Sequence, residues 1–239
     1  MSESTDEKVM GNFRKEIDFC AADAGYDPTN NALKTPQLEA QYAAALAAVE
    51  DVDAKLAPNM VDRNERRIAY DAVPKLFRRS RNYLKSTGAS AEFLADAETL
   101  IRKITGKRKT PKVKDDPSTP GNEAEQQHSA SQQSYESILG NCRAYIELIS
   151  NEPLYTTSDS ELKIGNLAAV ADDLEAKNNA VSATFPPVSQ ARGTRDDLLY
   201  TNTDCVINTA LSVKEYAKSM SNDTLYKAIK GLQFPRQKK

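Results

Sequence analysis

The feature that most constrains how this chain can fold is that it repeats itself: residues 9–106 are echoed in residues 138–231. Gly11-Asn12 returns as Gly140-Asn141, Ile17 as Ile146, Tyr26 as Tyr155, Leu33-Lys34 as Leu162-Lys163, Leu38 as Leu167, and Arg63 with Arg66 as Arg192 with Arg195, all at an offset of 129 residues. Further on, Tyr83, Lys85 and Ser86 match Tyr216, Lys218 and Ser219 at an offset of 133, and Ile104 and Gly106 match Ile229 and Gly231 at 125. An insertion of about one helical turn followed by a compensating loss accounts for both shifts. Self-similarity on this scale means that one supersecondary unit is built twice.

The unit reads as helical. Ala dominates the apolar residues, Trp is absent and aromatics are 7% of the 239 residues, a composition suited to close-packed helices. Val9, Phe13, Ile17 and Cys20 recur at three- and four-residue steps and predict a first helix over 7–23. Turn formers follow, and Thr35-Pro36 opens a second helix to about residue 56. Pro58 and Asn59 are expected to break it before a third helix over 62–86, in which Pro74 predicts a kink. A fourth helix spans 90–104. In the second half the same plan gives helices over 133–150, 162–184, 189–219 and 222–230, with Pro186-Pro187 as the break between the middle pair. The expectation is an all-α protein with an internal duplication: homologous four-helix-bundle-like units over 1–106 and 134–239. Between them, the polar, Pro-, Ser- and Gln-rich residues 107–133 read as a flexible linker.

Charge is segregated. Residues 1–62 carry 5 basic and 12 acidic side chains, residues 63–114 carry 15 and 5, and residues 115–239 carry 12 and 17, so the chain runs acidic, basic, acidic. No segment approaches the roughly 20 apolar residues that span a bilayer, and the first 30 residues lack a signal-peptide core, which together predict a cytoplasmic protein with no membrane partner. Cys20, Cys142 and Cys205 have no CxxC spacing and read as reduced, buried side chains. His128 is the sole histidine and falls in the linker, which removes the positioned imidazole that most triads and metal sites need. No phosphate-binding glycine loop, nucleophile elbow or calcium loop is present. Neither catalytic residues nor a cofactor nor a metal is expected, and the chain is read as non-enzymatic.

The polar residues worth following are therefore the repeated ones. Tyr26 and Tyr155 sit in matching loops and read either as a surface presented twice or as lids over helix entries, the Leu acting as a hydrophobic staple. Arg63 with Arg66, and Arg192 with Arg195, are spaced to share a helical face, where each pair could grip a phosphate or, by preference, pair with Asp51 and Asp53 or Asp172 and Asp173 one helix earlier. Arg78, Arg79, Arg81, Lys107, Arg108, Lys109, Lys112 and Lys114 form a basic stretch that could contact phosphates.

The Tyr loop closed by Leu-Lys, the Ala-rich helix, the Arg-x-x-Arg helix start and the helix end at Val213, Lys214, Tyr216, Lys218 and Ser219 resemble those of duplicated all-helical proteins of Bacteroidota-type bacteria. The resemblance implies a bacterial source and a helical fold, and it carries no activity with it. The functional expectation is a structural or protein-protein interaction protein, a scaffold that self-assembles or engages a protein partner. Nucleic-acid association through residues 78–114, or a small-ligand-binding helical bundle, are the alternatives.

Overall fold

Apolar spacing and local caps set the elements. In the computed structural model, which describes residues 3–107, 133–221 and 223–235, α1 (Glu3–Ala22) buries Val9, Phe13, Ile17 and Cys20 on one stripe. The Gly25 N–H donates to Asp23 Oδ1 at 2.8 Å in the turn that follows. A 3₁₀ turn, Asn31–Leu33, is capped by the Asn30 side chain, which accepts from Ala32 N–H at 3.0 Å. Then come α2 (Thr35–Ser86), α3 (Ala91–Thr105), α4 (Tyr135–Ser150), a second 3₁₀ turn (Ser160–Leu162), α5 (Ile164–Asp196), a π-helical turn (Asp197–Thr201), α6 (Val206–Ser219) and α7 (Thr224–Ile229). Ser90 caps α3 by accepting from Phe93 N–H at 3.2 Å, and Gly106 ends it in the left-handed region at φ 69°, as the sequence signals indicate. Among the described residues the regular structure is helical and includes no strand. The expected linker falls almost wholly on residues 108–132, outside the described residues.

The expected breaks at Pro58 and at Pro186-Pro187 do not occur. α2 runs unbroken for 52 residues and α5 for 33, with these prolines inside them. An interior proline forfeits one backbone hydrogen bond and crowds the carbonyl four residues back, at a cost of about 3 kcal/mol. Buried side chains on both sides outweigh that cost: Leu38, Ala45 and Val52 before Pro58, then Tyr70, Val73 and Phe77 after it. Asn59 itself is only 2% exposed and its Nδ2 donates to Thr184 Oγ1 at 3.0 Å, which ties the two long helices at this level.

Because the helices do not break, the compact units differ from the division expected at residues 106 and 134. One unit comprises Met1–Met60 with Thr184–Lys239, and the other Val61–Ala183. The chain changes unit beside each proline without leaving its helix. The first unit packs α1, the first half of α2, α6 and α7 around Phe13, Ile17, Leu38, Leu199, Val206 and Val213. The second packs the second half of α2, α3, α4 and the first half of α5 around Phe77, Leu84, Ile101, Tyr145, Leu167 and Leu174.

The helix expected over 189–219 is interrupted. Its four extra residues relative to α2, the difference between the offsets of 129 and 133, fall where α5 widens into the π-helical turn and stops at Asn202. Cys205 then starts α6. π-helical turns occur mostly as single-turn bulges inside α-helices, and here one ends the helix. Pro74, at the position aligned with Thr203, stays inside an uninterrupted α2.

Since Pro58 is exposed and lies within a continuous helix, Pro58→Ala is expected to raise stability by about 1–2 kcal/mol, the restored hydrogen bond being partly offset by a freer unfolded chain. Chemical denaturation monitored by circular dichroism reads this directly. A loss of stability would show that the helix needs the proline.

Candidate functional site

The repeated tyrosines are brought into the same local geometry. Tyr26 donates its hydroxyl to the Leu33 carbonyl at 2.7 Å, and Tyr155 donates to the Leu162 carbonyl at 3.0 Å. Tyr26 stands edge-on to Tyr216 at 5.4 Å and 84°, and Tyr155 edge-on to Tyr83 at 5.2 Å and 88°. Burial pushes both phenols up from their usual range. Each tyrosine closes its own loop over the 3₁₀ turn and leaves no hydroxyl proton for recognition.

The arginine pairs divide. Arg63 and Arg192 are exposed, while Arg66 and Arg195 turn inward. Arg195, 6% exposed, places Nη1 3.0 Å from Asp6 Oδ2 and donates Nη2 to Asp196 Oδ1 at 2.7 Å, and Asp6 also accepts the Tyr200 hydroxyl. At the matched position in the other unit, Arg66 lies over the Tyr135 ring, 4.1 Å from its centroid, with a buried Nε that has no hydrogen-bond partner. The expected pairing with Asp51 and Asp53, or Asp172 and Asp173, is therefore corrected. Asp51 holds Lys55 at 2.6 Å and Asp172 lies 3.6 Å from Arg143.

Two residues of the basic stretch are already paired with acids. Arg79 pairs with Glu161 and with Asp159 at 2.8 Å, and Arg81 with Glu98 at 3.1 Å. Arg78 and Lys107 are exposed. Arg108, Lys109, Lys112, Lys114 and His128 lie outside the described residues. Among the described residues no group of three His, Cys, Asp or Glu side chains is placed to hold a metal ion. The three cysteines are buried, and burial pushes the thiols of Cys20 and Cys142 up to about 12, the wrong direction for a nucleophile.

Two features went unnoticed at the level of sequence. One is Glu16, which is fully buried on α1 with neither carboxyl oxygen hydrogen-bonded. Burial pushes it up to about 8, against a smaller pull from Lys214. A signal for it existed, because Glu16 lies three residues from Phe13 and four from Cys20, inside the apolar stripe. The other is a pair of grooves. In the first unit a groove of about 370 Å³ is lined by Gln37, Gln41, Asp197, Asn202, Asp204 and Thr209. Gln41 is fixed there by donating to the Asp204 carbonyl at 2.6 Å and to Thr209 Oγ1 at 3.1 Å. In the second unit a groove of about 490 Å³ is lined by Lys75, Leu76, Arg79, Glu161, Asn166 and Val170. Gln37 and Asn166, and Gln41 and Val170, are matched pairs at the offset of 129, so the same place is hollowed in each unit. Neither groove contains a paired nucleophile and base.

Comparison with family models, with curated proteins and with solved structures gives no match to this chain.

Two stability measurements test these assignments. Asp6→Ala strips Arg195 of a buried counter-charge and Tyr200 of its acceptor, and is expected to cost about 3–5 kcal/mol in denaturant unfolding. Glu16, with a carboxyl near 8 when folded and about 4.3 when unfolded, keeps a proton that the unfolded chain has lost between those values. Its effect is absent below about pH 4, and stability drains away as pH rises towards 8, then levels. Glu16→Gln should match the parent near pH 4 and exceed it by roughly 2–5 kcal/mol above pH 8. Parallel pH profiles for the two proteins would show that Glu16 is not held neutral.

Proposed function

We propose that this chain is a duplicated, non-enzymatic protein whose work is contact with other proteins, further copies of itself included. Two lines of support converge. Several of the residues that could have carried chemistry are engaged structurally, the tyrosines in loop closure and Arg79, Arg81 and Arg195 in ion pairs. The surface, in turn, exposes large apolar side chains that a purely solvent-facing helix would not need. The observation that carries the reading is Val61 and Ile68 on α2, 55% and 64% exposed. Seven residues apart, they fall on one helical face two turns long, the spacing by which one helix packs along another.

Basic residues supply the second reading, nucleic-acid association, supported by the exposed Arg78 and Lys107 and weakened by the acids already bound to Arg79 and Arg81. Light scattering on size-exclusion peaks, with the 260 to 280 nm absorbance ratio recorded at low and moderate salt, separates the two. Under the contact reading the protein is free of nucleic acid and its mass rises with concentration. The double variant Val61→Asp, Ile68→Asp is expected to stay monomeric with unchanged helicity, since exposed substitutions typically shift stability by no more than about 0.5 kcal/mol. A parent that is monomeric at every concentration, or a variant that associates equally, overturns self-association through this face.

A further inference from the structure

Glu16 and the last described turn of chain are linked through one lysine. After α7 the chain lies back across α1 and α6 of its own unit. Asn12 Nδ2 donates to the Gln233 carbonyl at 2.8 Å, and Lys8 Nζ reaches Gln233 Oε1 at 3.5 Å. Lys214 Nζ donates to the Leu232 carbonyl and sits 4.9 Å from the centre of the Phe234 ring. Lys8, Asn12 and Glu16 follow one another at four-residue steps on α1, so the strand of contacts that fixes residues 232–234 leads directly to the buried carboxyl.

A buried carboxyl whose two oxygens have no partner needs an explanation in a folded protein. The groups around Glu16 give one. Cys20 on the same helix and Tyr26 on the following loop are themselves made harder to ionise by a charge on Glu16, and Tyr216 on α6 packs against Tyr26. Asp23 adds negative charge near Cys20, and Glu39 on α2 is taken by Arg14. Lys214 on α6 is the cation that eases ionisation of Glu16. No ion pair joins the two among the described contacts, because the ammonium is committed to Leu232 and Phe234.

We propose that residues 232–234 form a latch whose release is coupled to ionisation of Glu16, with Lys214 shared between the two. While Glu16 is neutral, Lys214 has no closer counter-charge and holds the latch shut. Once Glu16 loses its proton, an unpaired carboxylate in the core is costly, and the long flexible lysine side chain is the group able to reach it. Lys214 then leaves the Leu232 carbonyl and the Phe234 ring, and the segment is left with the contacts from Lys8 and Asn12, the Leu232 N–H to the Ile229 carbonyl and its apolar packing on the core, without the one charged contact that holds it. The turn of chain that covers this part of the first unit is thereby opened by alkaline pH, or by any partner that stabilises the ionised form of Glu16.

The test is a pH titration of the full chain carrying ring-13C phenylalanine, with the Phe234 signal assigned from the Phe234→Leu variant. In the parent, the Phe234 ring shifts are expected to move towards unstructured values with a midpoint near pH 8, and in Glu16→Gln they should stay at their acidic-side position throughout. Absence of a Phe234 transition, or the same transition in Glu16→Gln, overturns the proposal. Lys214→Met provides an independent arm should Glu16→Gln fail to fold. It is expected to place Phe234 near its released shifts at both ends of the titration, and a Phe234 that stays latched in this variant overturns the sharing of Lys214.

Discussion

A straight helix cannot fold back on itself, and α2 and α5 are each one helix where the repeat pattern provides for two. Residues 61–86 accordingly do not share a core with residues 1–56, as a four-helix bundle closed within one repeat would require. Their buried face, Tyr70, Val73, Phe77 and Leu84, is instead covered by α3, α4 and the start of α5. The same constraint gives α1 and the start of α2 to α6 and α7. Each core is thus assembled from the first part of one repeat and the last part of the other. The prolines at 58 and 187, matched at the offset of 129, stand where the chain passes from one core to the next.

Most of the local structure was legible in the sequence, because caps and short loops are decided by neighbouring residues. Ser90 and Gly106 bracket α3 as their types indicate, and the hydroxyl closure and the side-chain cap of the Tyr26 loop recur at Tyr155. Pro58 was misleading for a physical reason. A proline reports a lost hydrogen bond of fixed size, whereas helix continuity depends on burial along the whole element, which no local window contains. The partners of Arg195 were illegible on the same ground: Asp6 is 189 residues away and becomes a neighbour only once α5 is continuous.

Polar differences between matched positions separate the two cores. Tyr145 in the second unit shares a hydrogen bond of 3.0 Å with the buried Ser80 hydroxyl, which is in turn 2.7 Å from the Tyr155 hydroxyl. At the corresponding places the first unit has Glu16 and Val213, and the carboxyl loses the hydroxyl that would have met it. Arg195 has a carboxylate where Arg66 has a tyrosine ring. At these positions the first unit thus carries a buried carboxyl and an Arg195–Asp6 ion pair, and the second a set of hydroxyl hydrogen bonds and an arginine over a ring.

Side-chain volume gives the same pairing a positive reason. Phe13 on α1 corresponds to Cys142 on α4, and Phe77 on α2 to Ala210 on α6. The observed cores join large with small, Phe13 with Ala210 in one and Phe77 with Cys142 in the other. Bundles closed within each repeat would have placed Phe13 with Phe77 and Cys142 with Ala210. The first is overpacked, at about 1–3 kcal/mol, and the second leaves a void, a penalty of similar or greater size. Tyr145 would also have faced Val213 and lost the Ser80 hydroxyl. Continuity of α2 and α5 and complementarity of the cores thus favour one and the same arrangement, so a chain freed from the first constraint by a break near Pro58 would still be held to this partnership by the second.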